Sequence, residues 1–435
     1  MSARSEADRS GVPIRETAPS ARRARSWARR DAVFGAGAAL LLAHAVVDSL
    51  IAPEPGTGAA DHLGRLGATT AVLVAVALLF PRLPAGGRAA VEAALGVLAL
   101  EAAALALADG RADGLRGEDW TGLLLLPAGL ALVGMSARRL WLSRKRGAHR
   151  HLRRAGIGVA ALLAGYWLLL PVAVAIVATH RPRADVAPAD LGRPYDQVTL
   201  KTKDGLSLAA WYVPSRNGAA VVLYPSRQGA AEHARMLARH GYGVLLVDAR
   251  GYDGSQGDPN LFGWEGAKDV DAAVAWLGSR PEVADGRIGG MGFSVGGEVM
   301  LEAAASNDAL RAVVSEGAGV RSVREHRLRG PKGWFSLPEA AVQTAAVAVM
   351  SGSAPPSSLG DVVSRIAPRP LLLIYAGRGG GGEELTPDYY RAASQPKSLW
   401  RIDEARHVGG YEARPREYEA RVVELFDQAL LGKAG

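Results

Sequence analysis

The sequence predicts an α-helical membrane region followed by an α/β domain with a mostly parallel sheet. Five apolar runs interrupt residues 1–180, and short β-branched runs alternate with amphipathic stretches after about residue 190. The chain has 435 residues, which is too long for one domain of about 100 to 200 residues. It has no cysteine, so a disulfide framework and thiolate metal or redox chemistry are excluded.

The apolar runs lie at about 32–52, 66–80, 89–108, 120–137 and 155–179. A membrane-spanning helix needs about 20 predominantly apolar residues. The runs at 120–137 and 155–179 contain no charged residue, whereas the others are shorter or carry carboxylates. We therefore expect a basic tail over 1–31 and a transmembrane region with about five helices over 32–180.

The distribution of charge predicts how this region is oriented. Residues 1–180 hold 21 Lys and Arg against 13 Asp and Glu, whereas residues 181–435 hold 30 of each. Arginines concentrate in the tail 1–31 and in the loop 138–154, and positive flanks of membrane spans stay in the cytoplasm. The pattern predicts a multi-pass protein of the cell membrane with a cytoplasmic N-terminus and an extracytoplasmic domain after Thr179.

The basic loop 138–154 has an alternative interpretation as a nucleic-acid patch. It lies between two apolar runs and lacks interleaved aromatic residues for base stacking, so we expect no nucleic-acid partner. The loop also contains His149-x-His151, but the surrounding arginines would repel a cation. No metal site is therefore predicted.

A linker over 181–194 precedes the α/β domain, which we place at 195–435. The segments VTLKT and LAAWYV flank the turn at Asp204-Gly205 and predict an antiparallel hairpin. Further strands are predicted at 219–224, 243–248, 287–293, 310–316, 370–376 and 398–403. Amphipathic stretches separate most of them, as parallel strands require.

The segment from Gly292 to Gly296 reads Gly-Phe-Ser-Val-Gly between a predicted strand and a predicted helix. A serine nucleophile on such a turn needs small neighbours because the backbone is strained and crowded there. The helix N-terminus also directs backbone N–H groups at a developing oxyanion. Ser294 is thus the candidate nucleophile, and the Val295 N–H is a candidate oxyanion donor.

A nucleophilic serine needs a base and an acid, which follow it in the chain in the order acid and then histidine. His407 follows the last predicted strand and is favoured as the base over His326, which lies in an Arg-rich segment. Glu383 and Glu384 both lie in the glycine-rich loop after the strand at 370–376. Glu383 is favoured, Glu384 is close behind, and Glu316 is a third candidate.

With these motifs the chain resembles the α/β-hydrolase superfamily, in particular its serine aminopeptidase, dienelactone hydrolase-like and acyl-protein thioesterase-like branch. The resemblance covers about residues 195–432 and rests on VVLYPSRQG, VDARGYDGSQG, GFSVGG, PRPLLLIYAG and ARHVGG. It implies an α/β-hydrolase fold with Ser294 as nucleophile, His407 as base and Glu383 or Glu384 as acid.

The resemblance also implies a second oxyanion donor after the third strand, usually in a His-Gly motif. Here Pro225-Ser226-Arg227 stands in its place, so Ser226 or Arg227 is the candidate. Related hydrolases place a cap over the pocket where residues 319–366 interrupt the sheet. We expect Trp334, Phe335 and Leu337 of this cap insertion to line an acyl site. The basic residues of the insertion either bind anionic groups or face solvent: Arg321, Arg324, Arg327, Arg329 and Lys332.

Two other classes of function remain open at this stage. The glycines at 290, 292 and 296, with Glu316 further along the chain, resemble a dinucleotide-binding fingerprint displaced by one residue. The chain could instead carry an inactive, hydrolase-like binding or sensor domain. The favoured prediction is a membrane-anchored serine hydrolase that cleaves an ester, thioester or amide without a cofactor. Its expected partners are membrane lipids and a small-molecule, lipid or acylated-peptide substrate, and its oligomeric state stays open.

Overall fold

The protein is described from a computed structural model. The described residues are 21–51, 59–113, 117–142, 163, 165–180, 186–227 and 229–433. The first 20 residues of the basic tail, most of the basic loop with His149 and His151, and residues 181–185 of the linker lie outside them.

Within the part of the chain that the structure describes, five helices form a bundle that precedes the sheet. They are α1 (Ala21–Val46), α2 (Ala59–Leu79), α3 (Ala85–Asp113), α4 (Gly117–Leu142) and α5 (Leu170–Thr179). One π-helical turn, Val47–Ile51, extends α1, and another, Gly165–Leu169, precedes α5. Small residues let α3 and α4 approach closely, since a Cβ at Gly129 would lie 2.8 Å from the Gly96 oxygen.

Within the described ranges, three helices are long and apolar enough to cross a membrane, namely Ala32–Ile51, His62–Arg82 and Asp119–Leu140. The apolar helix Gly165–Thr179 is shorter, and the rest of the predicted run 155–179 is not described. The helix α3 contains Glu92, which is buried and accepts a 2.7 Å hydrogen bond from Arg139 of α4. The number of five spans and the domain bounds stay predictions.

Eight strands form one sheet. They are β1 (Asp196–Lys201), β2 (Ser207–Val213), β3 (Ala220–Tyr224), β4 (Gly243–Val247), β5 (Ile288–Phe293), β6 (Leu310–Glu316), β7 (Leu371–Arg378) and β8 (Lys397–Arg406). Their order is β1-β2-β4-β3-β5-β6-β7-β8. The pairs β1–β2 and β2–β4 are antiparallel and the other pairs are parallel. The predicted α/β-hydrolase fold and its starting hairpin are therefore confirmed.

Helices cover both faces of the sheet because its central strands are apolar on both sides. They are α6 (Ala231–Arg239), α7 (Gly266–Gly278), α8 (Val295–Ala304), α12 (Thr386–Ala392), α13 (Gly410–Ala413) and α14 (Pro415–Phe426). Two buried apolar clusters result, one on each face. The sheet is thus a rigid support whose carboxyl edge carries the loops that follow β3 to β8.

Between β6 and β7 the chain forms α9 (Val323–His326), α10 (Gly330–Ser351) and α11 (Leu359–Val362). The long helix α10 packs along α5, and the Trp167 indole N–H donates a 3.1 Å hydrogen bond to the Phe335 oxygen. The other end of α10 reaches α2, where Arg65 donates to the Met350 oxygen over 3.4 Å. The α/β domain therefore contacts the end of the bundle at which α1 and α5 finish and α2 starts.

Candidate active site

Ser294 occupies the turn between β5 and α8. Its φ of 53° lies in the left-handed region, which a residue other than glycine rarely adopts. A Cβ at Gly292 would collide with the Gly296 oxygen, and a Cβ at Gly296 would collide with the Tyr224 oxygen. The two glycines therefore allow a sharp turn that places the serine at the carboxyl edge of the sheet, as predicted for a nucleophile elbow.

His407 lies directly after β8, at the same edge of the sheet. Its Nε2 atom is 2.8 Å from Ser294 Oγ, although the two residues are 113 positions apart in the chain. On the other side of the ring, Nδ1 is hydrogen-bonded to Glu383 Oε1. A proton on Nδ1 leaves Nε2 free to accept from the serine hydroxyl, which is the tautomer that a general base requires.

Glu383 is held in place from two directions. Its side chain is buried, at 2% exposure, and its second oxygen accepts a 2.8 Å hydrogen bond from the Ala376 N–H at the end of β7. Gly382 enters this turn with a φ of 104°, which only glycine adopts without strain. Glu384, the close alternative, instead accepts a 2.7 Å hydrogen bond from Arg329 at the surface. The structure therefore brings Glu383, and not its neighbour, to His407.

The other sequence candidates serve different contacts. Glu316 is buried at the end of β6, where it accepts hydrogen bonds from the Gly410 N–H at 2.8 Å and from the Tyr418 hydroxyl. It thereby holds the loop that follows His407. His326 lines the same cavity as Ser294, but its Nδ1 atom is 3.2 Å from Ser336 Oγ within the cap insertion.

The electrostatics of the site favour a charged imidazole. The hydrogen bond from His407 to Glu383 raises the pKa of His407 above its usual value, against the opposing effect of burial. The raised pKa means that the site stabilises the imidazolium, which forms when His407 removes the serine proton. The geometry and the charges thus agree on the direction of proton transfer.

Val295 is the first residue of α8, so its N–H precedes the intrahelical hydrogen bonds and can face an oxyanion. The second predicted donor is less well supported. The Arg227 N–H already donates a 2.9 Å hydrogen bond to Asp248, and the Arg227 side chain binds the same carboxylate. Ser226 Oγ accepts from the Gly229 N–H over 3.3 Å. Neither residue is among the described residues that line the cavity beside Ser294.

That cavity has a volume of about 220 Å³. Its apolar lining comes from the loop after β4, the loop after β6 and the cap helix α10, through Phe262, Trp264, Val320, Ala340 and Val347. The aromatic pair Phe262 and Trp264 was missed at the sequence level, where the only signal was the aromatic stretch after Pro259.

The expected acyl lining from the start of α10 is wrong. Trp334 and Phe335 are 59% and 54% exposed, and neither they nor Leu337 line the described cavity. Phe335 instead packs against Tyr166 and Trp167, with ring centroids 5.5 and 5.4 Å apart. The next turns of α10, with Gln343 and Thr344, face the cavity in their place.

A buried ion pair closes one side of the cavity. Glu298 lies four residues after Ser294, one turn along α8, and accepts a 3.1 Å hydrogen bond from the Gly319 N–H. Burial raises the pKa of Glu298 to about 7, although Arg321, 3.6 Å away, acts against the shift. The helical spacing from Ser294 was the available signal for Glu298.

The basic residues of the cap insertion do not form one anion site. Arg321 is buried and donates to the Phe262 oxygen at 2.6 Å as well as to Glu302. Arg324 pairs with Asp361, whereas Arg329 pairs with Glu384. The Arg327 guanidinium lies 5.7 Å from the ring centre of Trp334.

The glycines of the dinucleotide-like spacing have a packing role. A Cβ at Gly290 would collide with Met300 Sδ, and Gly292 is needed by the turn at Ser294. Glu316 is engaged by Tyr418 and Gly410 and is not available to a ribose. This arrangement does not support the dinucleotide interpretation.

Comparison with known proteins identifies the family of the chain. The model of the X-Pro dipeptidyl-peptidase (S15) family matches residues 177–405, which include Ser294 and Glu383 and end just before His407. The chain belongs to this family. The eight-stranded sheet accordingly has the α/β-hydrolase fold, and the match runs from β1 into β8.

Two curated proteins are similar in sequence to the chain. They are an uncharacterized protein of Mycobacterium tuberculosis and a polyketide transferase of a Penicillium species. The first is 37% identical over 111 residues, which are 24% of this chain and 39% of that protein. The second is 30% identical over 146 residues, which are 32% of this chain and 50% of that protein. The chain thus spans about two fifths to one half of the length of these relatives.

Among solved structures, an esterase of Pyrococcus furiosus is 25% identical to the chain. The alignment covers 57% of this chain and 98% of the esterase, with a TM-score of 0.47.

Proposed function

We propose that this protein is a membrane-anchored serine hydrolase that cleaves an ester, thioester or amide through an acyl-enzyme intermediate. The observation that carries the proposal is the hydrogen-bonded series from Ser294 Oγ, 2.8 Å from His407 Nε2, to Glu383 at His407 Nδ1. In this proposal residues 32–180 anchor the chain and residues 195–435 carry the reaction.

The proposed reaction has two halves. In the first, His407 Nε2 removes the Ser294 proton while Oγ attacks the substrate carbonyl, and the Val295 N–H stabilises the oxyanion. The Glu383 carboxylate stabilises the imidazolium, which then gives its proton to the leaving group. In the second half, His407 deprotonates water, the water attacks the acyl-serine ester, and Ser294 regains its proton as the acid product leaves.

The test uses the full-length protein in detergent with a p-nitrophenyl ester. We expect the wild type to hydrolyse the ester and Ser294→Ala to show only the background rate, because alanine has no hydroxyl oxygen to attack the carbonyl. Equal elution volume and equal melting temperature would show that the variant is folded. A Ser294→Ala variant that hydrolyses the ester at the wild-type rate would contradict the proposal.

Peptidase activity is a second candidate because the matched family is named for X-Pro dipeptidyl-peptidases. A Gly-Pro p-nitroanilide compared with the aryl ester distinguishes the two. A kcat/KM that is higher for the anilide would favour a peptidase, and a higher value for the ester would favour an esterase. Both outcomes depend on the same Ser294.

We also propose that the hydrolase domain lies outside the cytoplasm. The proposal is supported by the arginines of the N-terminal tail and by the contact of the α/β domain with the end of the bundle at which α1 finishes. A membrane-impermeant fluorophosphonate should label intact cells in a Ser294-dependent manner. Labelling only after lysis would show that the hydrolase domain lies in the cytoplasm. Absence of labelling in both would favour an inactive binding or sensor domain.

A further inference from the structure

A second cavity lies in the helical bundle, and we call it the bundle cavity. It has a volume of about 590 Å³, within the range of about 300 to 1,000 Å³ that is typical of ligand pockets. Helices α1, α2, α3, α5 and α10 supply apolar walls that include Leu41, Leu73, Leu98, Ile176, Val342 and Met350. None of the described residues that line it also lines the cavity beside Ser294.

The bundle cavity opens at the side of the bundle. Val72 of α2 and Val349 of α10 line it and are 61% and 43% exposed, so both stand at its mouth. Val72 lies in the middle of His62–Arg82, one of the helices that are long and apolar enough to span a membrane. In a bilayer this mouth faces hydrocarbon, so an apolar chain rather than water is the matching occupant.

One end of the bundle cavity is polar. Arg65 Nη2 donates a 2.7 Å hydrogen bond to Asp48, and His180 Nε2 lies 3.7 Å from the same carboxylate. These residues stand where α1 and α5 finish, next to the hydrolase domain. Ala106 of α3 lines this end and Leu95 lines the deeper part, which is about 16 Å away at 1.5 Å per helical residue. The bundle cavity therefore has a long apolar part and an ionic end.

We propose that the bundle cavity binds the hydrocarbon chain of a single-chain membrane amphiphile, with its polar group beside Asp48 and Arg65. The apolar walls match the chain, the lateral mouth gives access from the bilayer, and the ionic end matches the polar group. The proposal does not depend on Ser294 being a nucleophile.

Two photoactivatable palmitic acids test the proposal on the full-length protein in nanodiscs. One carries a diazirine at the end of the chain and the other carries it next to the carboxyl group. We expect the first to cross-link near Leu73 and Leu95, and the second near Ala106 and Met350. Excess unlabelled palmitic acid should reduce both signals. Cross-links that spread over outward-facing positions such as Leu78 and do not compete would overturn the proposal.

A matched pair of variants on α3 provides the control. Ala102 lines the bundle cavity, whereas Ala104 is exposed on the same helix. Ala102→Phe fills part of the bundle cavity and should reduce specific cross-linking about tenfold. Ala104→Phe should leave the cross-linking unchanged. Equal cross-linking in two monodisperse variants would overturn the proposal. If Ala102→Phe is not monodisperse, the smaller Ala102→Val takes its place, with a smaller decrease expected.

Discussion

The cavity beside Ser294 and the bundle cavity share the helix α10 but are built from different contacts. Around Ser294, buried polar groups fix each other by hydrogen bonds, as with Glu383 between His407 and the Ala376 N–H. The bundle cavity has apolar walls and one ionic end at Asp48 and Arg65. Substitutions at the sheet edge should therefore change the rate of chemistry, whereas those on α10 should change which ligand fits.

The largest effect should come from His407→Ala. Without its imidazole no described group within hydrogen-bonding distance of Ser294 Oγ removes the serine proton, so kcat for a p-nitrophenyl ester should fall by about 10⁶-fold. Steady-state kinetics measures this effect. A decrease of less than about tenfold would show that His407 is not the base.

The adjacent glutamates give the sharpest contrast at the sheet edge. Glu383→Gln should lower kcat by about 10⁴-fold, because the amide neither fixes the imidazole tautomer nor balances the imidazolium charge. Glu384→Gln removes only a surface ion pair with Arg329 and should change kcat by less than about twofold. Equal losses in the two variants would contradict the assignment of Glu383.

Glu298 tests whether the buried polar groups beside Ser294 affect the stability of the folded protein. Its pKa of about 7 in the folded protein exceeds the usual value of 4.5, so the folded state binds the proton more tightly than the unfolded state. Stability should fall as pH rises from about 4.5 to about 7, by up to about 3 kcal/mol, and then level off.

Melting temperatures between pH 5 and pH 8 check this expectation. Glu298→Gln keeps an acceptor for the Gly319 N–H but has no charge to bury. Its melting temperature should therefore decrease less than that of the wild type as the pH rises. The control is Glu302→Gln, at the more exposed partner of Arg321. An identical pH profile in wild type and Glu298→Gln would contradict the buried-carboxyl account.

Substitutions at two neighbouring residues of α10 should affect the two cavities separately. Thr344 lines the cavity beside Ser294 and Ala345 lines the bundle cavity. Thr344→Leu should raise KM for the p-nitrophenyl ester about tenfold by narrowing the site, with kcat less affected. Ala345→Leu should leave this KM unchanged and should reduce palmitic acid cross-linking. If both variants raise KM equally, the two faces of α10 are not independent.

The smallest effect is a shift of a pH profile. Because Glu383 raises the pKa of His407, kcat/KM for the ester should fall on the acidic side with a midpoint above about 6.5, where the ring becomes protonated. In the residual activity of Glu383→Gln this midpoint should move to lower pH, since the carboxylate that stabilises the imidazolium is gone. An unchanged midpoint would show that another group sets the profile.

The sequence predicted most of the sheet edge and little of the cap. The turn at Ser294 depends on local glycines, and the strand pattern determines which loops meet there, so both are visible in the sequence. The choice between Glu383 and Glu384 depends on the Ala376 N–H, a contact that forms only in the fold. The burial of the two residues differs for the same reason.

The cap was predicted less well because its side chains depend on packing between distant segments. The aromatic side chain of Phe335 matched an acyl lining by composition, but α5 and the turn before it contact that part of α10. The bundle cavity likewise arises where six of the described helices meet, and no single apolar run indicates it. Such sites require the tertiary structure.

The proposed reaction depends on nucleophilic attack by Ser294 Oγ. The most direct measurement is mass spectrometry of the full-length protein after reaction with a fluorophosphonate, followed by peptide mapping. We expect one adduct on the peptide that contains Ser294, lost in Ser294→Ala and strongly reduced in His407→Ala. An adduct on a different serine, or no adduct on a wild-type protein that hydrolyses the ester, would contradict it.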